Sequence, residues 1–390
     1  MDIRKTLLWA IFTISALLLF NAWQEQTGQG SLFSKSAAPA KEQVIATSNG
    51  AKDLPKPSGN ALVAPAPTSS PKTGELLTLK NDVLELEVDT LGGVVSKARL
   101  LKHLEEDKSP VLLFDRSNDR QYFARTGLVS GSGAELPNHT QIFTATKNQA
   151  NNSITLVAEK NGVRLEKTYT LSNGSYVVEA KHHIKNVSAQ NLDATLYAEL
   201  VRDGGKPSFK GKVEESSFYS TFTGPAVYTD AEKFHKIDFS DIEKGKSKVP
   251  STQPAGETAW VAMVQHYFVS AWVPPATYSK DLYVEKLDKN QFRVGVKSKL
   301  DALSIGQEKV ETFKLFVGPQ EERVLENVAP GLELVKDYGW LTILAKPIFW
   351  LLEHIHNIIG NWGWSIILLT ILIKLVFFPL SAASYKSMAR

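Results

Sequence analysis

The sequence predicts a membrane protein in which two apolar helices flank a large all-β sandwich. Residues 6–23 (TLLWAIFTISALLLFNAW) and 362–380 (WGWSIILLTILIKLVFFPL) are apolar runs long enough to cross a bilayer as helices. Between them the hydrophobic pattern has period two, punctuated by Asn-Gly pairs, with no long stretch of helical period. The 390 residues include no cysteine, and a core of this size needs no disulfide staples even in an oxidising compartment.

Residues 1–23 read as an uncleaved transmembrane signal anchor. The run is longer than an ordinary signal-peptide core, and Phe20-Asn21-Ala22 offers only one of the two small residues that cleavage requires. Without cysteine, lipoprotein processing is excluded. Arg4 and Lys5 precede the run and Glu25 follows it, which keeps the N-terminus cytoplasmic. Residues 24–75 are rich in Ala, Pro, Ser, Thr, Lys and Gly and too poor in large apolar residues to bury a core. They read as a disordered linker to which no chemistry is assigned.

Residues 76–325 form one large β domain. Residues 83–88 (VLELEV) alternate strictly, and Leu91-Gly92-Gly93 supplies a turn or bulge. Residues 154–158 lead through Asn161-Gly162 into 163–171, and Asn173-Gly174 leads to 176–184, both hairpin signals. Further strands are expected at 194–200, 259–272, 282–287, 291–296 and 311–317. Residues 326–361 hold short helices, preceded by a turn or two at 320–328 that Pro330-Gly331 ends. In 345–359 (AKPIFWLLEHIHNII), Ile348, Leu351, Leu352, Ile355, Ile358 and Ile359 recur at helical spacing, with Glu353, His356 and Asn357 opposite. This segment is expected to lie on the outer leaflet as an interfacial helix. A helix buried against the β domain is the competing expectation. Residues 362–390 then form the second span and its exit, where Lys386 and Arg390 place the C-terminal side in the cytoplasm.

Enzyme chemistry finds little support. Gly92-Gly93 and Gly204-Gly205 lack the spacing and following helix of a phosphate loop. His182 and His183 point to opposite faces of a strand, and His354 and His356 do not face each other on a helix. No metal site or cofactor is therefore expected. Phe218, Tyr219, Phe222 and Tyr228 could stack on a sugar, but packing within a sandwich uses the same residues. A net charge of +3 without a basic stripe argues against nucleic acid.

Lys374 is the chemically costly residue. A lysine near the middle of a spanning helix costs about 2.5–3.5 kcal/mol on insertion scales. Either it snorkels to the surface or it lines a wet cavity. The nearer end of the run is roughly 9 Å away, but side chains lean toward the helix N-terminus, the opposite direction. Thr370 at i−4 and Ser381 at i+7 complete a thin polar stripe.

The membrane-proximal sequence resembles the YidC family of bacterial membrane protein insertases. The resemblance rests on DYGW (337–340), the Lys346-Pro347 amphipathic segment, GNWG (360–363) opening a span with a central basic residue, Pro379-Leu380, and YKSMA (385–389). Upstream, WVAM (260–263), Tyr267-Phe268, AWVP (271–274) and FVGP (316–319) are similar to the family's large periplasmic domain. The resemblance implies a β-supersandwich in the periplasm of a bacterium, with residues 24–361 outside the inner membrane. It also implies a hydrophilic intramembrane groove containing Lys374, Thr370 and Ser381, which assists insertion and folding of nascent inner-membrane proteins without covalent chemistry. Implied partners are the lipid bilayer, the Sec translocon with its accessory subunits, and the ribosome. Relatives often carry Arg where this chain has Lys374, so the bidentate geometry of Arg is lost. Members of the family continue with a cytoplasmic hairpin and four further spans, so a C-terminally truncated form is expected. The alternative is a membrane-anchored periplasmic protein that binds or converts carbohydrate on its β-sandwich.

Overall fold

The computed structural model describes residues 53–55, 74–117, 120–205, 208–209, 212–213, 222–250, 252–287, 290–336 and 342–388. The expected first span and most of the linker lie outside these residues. Alternating strands build a first meander of β1 (Leu76–Lys80), β2 (Leu84–Asp89), β3 (Val94–Leu104), β4 (Pro110–Arg116) and β5 (Gln121–Val129). A second contains β6 (Thr144–Asn148), β7 (Ser153–Lys160), β8 (Val163–Leu171) and β9 (Val177–Asn186). The chain crosses back with β10 (Thr195–Asp203), and a small ribbon follows, β11 (Ser208–Phe209) and β12 (Lys212–Val213). Next come β13 (Gly224–Thr229), β14 (Lys233–Lys236), the short helix α1 (Phe239–Glu243), β15 (Ala259–Gln265) and β16 (Phe268–Val273). β17 (Lys280–Leu287), β18 (Gln291–Lys299) and β19 (Glu308–Pro319) complete the sheets.

The strands pair antiparallel in an 8-stranded sheet, β1-β2-β3-β4-β5-β10-β18-β17, and a 9-stranded sheet, β14-β13-β15-β16-β19-β9-β8-β7-β6. Their inner faces share one core, to which Leu86, Ala98, Phe114 and Leu200 come from the first sheet and Leu165, Tyr169, Trp272 and Phe313 from the second. The period-two reading follows from this arrangement: in β2 buried and half-buried residues alternate without a break.

Asn161 and Gly162, with φ of 50° and 73°, form the two-residue hairpin their sequence signals, closed by Lys160 opposite Val163. The run at 259–272, read as one strand, is instead a hairpin. Gln265 pairs with Phe268, and the turn rests on Tyr267 at φ 71°, a residue type that gives no turn signal in sequence.

The outer face of the second sheet is covered too. Ala226, Tyr228, Trp260, Ala262 and Phe316 pack beneath Leu325 of helix α2 (Glu322–Glu326) and beneath Leu332 and Val335 of a single turn of 3₁₀ helix (Leu332–Val335). Tyr228 stacks on Trp260 with ring centroids 5.5 Å apart, so this member of the aromatic run is a packing residue. Residues 218–221 lie outside the described residues. Two longer helices follow, α3 (Thr342–Ile359) and α4 (Trp362–Met388). The first begins before the expected Ala345, and the second passes Pro379 without ending.

Candidate functional site

The turn between α3 and α4 is built by two residues. Gly360 takes φ 72°, and its N–H donates to the His356 carbonyl at 2.7 Å, closing α3. Asn361 then caps α4, its Oδ1 accepting from the N–H groups of Gly363 (2.9 Å) and Trp364 (3.3 Å). The His356 ring stacks on Trp362, 3.8 Å between centroids. Ile355 of α3 and Ser365 and Leu369 of α4 are buried, on the turns of helix next to this junction. Arg323 pairs with Glu353 at 3.5 Å, and Lys336 lies 4.2 Å over the Phe349 ring, tying α3 to the segment that caps the second sheet.

α4 is one unbroken helix from Trp362 to Met388. At about 100° per residue, positions 370, 374 and 381 fall within about 40° of one another on a face about 140° from the Ser365–Leu369 contact face. Lys374 and Thr370 are exposed on that side, and the Thr370 hydroxyl donates to the Ile366 carbonyl at 2.8 Å. Flanking them, Leu375, Val376, Phe377 and Phe378 are each more than half exposed, a surface unsuited to water. Among the described residues, α4 is the one helix long and apolar enough to cross a membrane. Nothing is described of the Ser381 side chain. On α3, Ile348, Trp350, Ile358 and Ile359 are exposed while Ile355 is buried, so the apolar stripe read from sequence is divided between packing and an open side.

A second polar constellation escaped the sequence reading. On β5, β10 and β18 the side chains of Arg125, Glu199 and Arg293 lie together, 6%, 0% and 2% exposed. Glu199 pairs with Arg125, accepts from the Tyr283 hydroxyl at 2.7 Å and lies 3.6 Å from Arg293. Burial opposes its charge, yet the guanidiniums of Arg125 and Arg293 hold its carboxyl below the usual range. His139 bonds Tyr197 Oη through Nδ1 at 2.6 Å, and burial with the adjacent Arg125 charge pushes its imidazole down to about 4. Arg125 is the lone charge of an otherwise uncharged strand, which signals a buried partner, whereas Glu199 and Arg293 share their strands with other charges and give no such signal. Which partner depends on the order β5-β10-β18, which is not visible in sequence. Among the described residues no cluster of His, Asp and Glu could hold a metal ion.

Comparison with known proteins agrees with this architecture. Residues 76–351 match the family described as YidC periplasmic domain, and residues 354–390 match 60Kd inner membrane protein. The membrane protein insertase YidC of Cupriavidus necator is 51% identical over all of this chain, which covers 71% of that protein. That of Ralstonia nicotianae is 48% identical, with the same coverage. A galactose mutarotase-like protein from Lactobacillus casei covers 62% of this chain and 100% of its own at 10% identity and a TM-score of 0.43, and no functional conclusion follows from it. Identity near one half across the whole chain makes it a member of the YidC family of membrane protein insertases.

Proposed function

We propose that this protein inserts newly made proteins into the bacterial inner membrane, and that Lys374 is the cation of a hydrophilic groove on one face of α4. The observation that carries this reading is a lysine and a threonine stacked on one side of a helix whose other exposed residues between Trp362 and Pro379 carry no polar or charged aliphatic side chain. A snorkelling lysine needs no second polar residue one turn away toward the bilayer centre. In the groove, Lys374 attracts acidic residues of a segment in transit. At 4 Å such a pair is worth about 4 kcal/mol at an effective dielectric of about 20, against about 1 in water. Hydrophilic stretches thus enter part of the membrane without crossing its full apolar thickness. The work is physical and needs no covalent step or cofactor.

The orientation proposed with it has the N-terminus and the residues after Ser381 in the cytoplasm and 24–361 in the periplasm, the sandwich being the family's β-supersandwich. Trp362 and Trp364 are exposed at the α3–α4 turn and Trp350 is exposed midway along α3, as an interfacial aromatic belt would have them, and they support an outer-leaflet position for α3. The Sec translocon and the ribosome are proposed partners. The carbohydrate alternative is not favoured, because the curated relatives are named insertases.

The test is insertion of substrates with acidic translocated segments by the intact gene product carrying Lys374→Ala or Lys374→Arg. The alanine variant is expected to fail and the arginine variant to work. Equal insertion by both and by the wild type contradicts the groove role.

A further inference from the structure

Three residues of the stretch read as linker do not stand clear of the β domain. Asp53, Leu54 and Pro55 lie on the first sheet, where Pro55 is buried. The Asp53 carboxylate accepts from both terminal nitrogens of Arg125, at 2.7 and 2.9 Å, and from His139 Nε2 at 3.1 Å. Its backbone carbonyl accepts from Arg293 Nη1 at 2.6 Å, and the Leu54 carbonyl from Arg293 Nη2 at 3.5 Å. A fork-to-fork Arg–carboxylate pair is geometrically selective as well as strong.

The charges explain why the sheet needs this visitor. Arg125 and Arg293 are almost wholly buried, and Glu199 is the one fully buried carboxylate between them. Two carboxylates at the margin complete the pairing, Glu285 on Arg293 and Asp53 on Arg125, 42% and 39% exposed. The buried charged groups are two guanidiniums and one carboxylate, an arrangement costly in a low dielectric without such partners at the margin. Asp53 is the margin partner of Arg125. Burial alone would raise its carboxyl, but the His139 hydrogen bond and the Arg125 charge outweigh that and hold it far below the usual carboxylate range. With His139 neutral, Nε2–H donates to Asp53 while Nδ1 accepts from the Tyr197 hydroxyl, so the ring is oriented from both sides.

The floor of the cradle is cut to shape by glycine. A Cβ at Gly127 would lie 2.5 Å from Tyr197 Oη, and one at Gly295 would lie 2.4 Å from the Tyr283 ring. These two tyrosines can therefore lie across β5 and β18 and reach His139 and Glu199 respectively.

We infer that Arg125, Arg293 and His139 form a carboxylate-binding cradle whose ligand is this chain's own Asp53, clasping the stretch 53–55 onto the β domain. The clasp moves the point at which the N-terminal arm leaves the domain. Without it the arm would leave from β1, at one edge of the first sheet. With it the arm leaves from β5-β10-β18, about 20–30 Å across the sheet at about 4.8 Å per strand. The intervening residues 56–73 have a contour of about 60 Å, ample for that crossing. This assignment is independent of the proposed groove.

The chain has no cysteine, so paired nitroxide labels can be introduced without background. One label goes at Leu54→Cys and the other at Lys181→Cys, an exposed position on β9, in the intact chain in lipid nanodiscs. The clasp predicts a single narrow distance distribution that broadens at least two-fold on Asp53→Asn. Repeating the measurement from Ala51→Cys removes the label itself as a cause. A control pair, Lys181→Cys with Leu112→Cys, reads the domain alone and is expected not to change. A broad distribution without the Asp53 substitution overturns the assignment. So does a width that Asp53→Asn leaves unchanged, or equal broadening of the control pair.

Discussion

Trp260 donates its indole N–H to the carbonyl of Pro330 at 3.0 Å, joining β15, the third strand of the second sheet, to the turn between α2 and the 3₁₀ segment. The next residue, Gly331, has φ 77°, and a Cβ there would sit 2.2 Å from the Tyr228 ring. Tyr228 cannot retreat, because it is stacked on Trp260. A single turn thus fixes how the capping segment Leu332–Val335 sits on the sheet.

Gly331→Ala is accordingly expected to lower the stability of the β domain by about 1–3 kcal/mol, from the left-handed backbone and the displaced ring together. Chemical unfolding followed by near-ultraviolet circular dichroism measures it. An unchanged midpoint would mean that the turn is looser than its contacts indicate.

Glu199→Gln removes the fully buried carboxylate between two guanidiniums. Breaking such a pair from one side costs about 3–5 kcal/mol. The folded-state value of Glu199 lies below its ordinary 4.5, so its stabilisation is complete above pH 4.5 and is lost as pH falls through the lower folded value. The wild type should therefore lose part of its stability on acidification below pH 4.5, and the glutamine variant should show less of that acid dependence. Urea titrations across this range decide it.

Lys167 is fully buried, its ammonium donating to the carbonyls of Gly92 and Thr126 at 2.7 Å each beside the Phe143 ring. Burial pushes it from 10.5 down to about 7. Above that value the folded protein holds fewer protons than the unfolded chain, so stability rises with pH, by up to about 1.4 kcal/mol per pH unit. The rise should run from about pH 7 until tyrosine ionisation near 10 intervenes. Lys167→Met should flatten it, leaving a remainder from Lys280 and Lys297, which burial also lowers. An identical slope in the variant would place the effect elsewhere.

Much of the sandwich was legible because half-buried strands such as β2 and β8 show period two, and because Asn161-Gly162 states its turn outright. The turn at Tyr267 was not, since its backbone is imposed by the pairing of β15 with β16 and not by residue type. β10 reads as apolar because it is buried along nearly its whole length, which hides that Glu199 is the centre of a charge network. Lys374 and Thr370 could be found from one helix alone, their relation being local. The cradle joins residues up to 240 apart in sequence, and only the sheet order brings Asp53 to Arg293.

The central claim, that one face of α4 is wet within the membrane, is tested most directly by single cysteines at 370, 374 and 381 and at 368, 372 and 376. They are introduced into the intact gene product, with any cysteine outside these 390 residues replaced by serine, and reacted with a membrane-impermeant maleimide. The account predicts rapid labelling at 370, 374 and 381, and little at 368, 372 and 376, which face lipid or helix. Uniform protection at all six positions, or labelling that ignores helical phase, would contradict it.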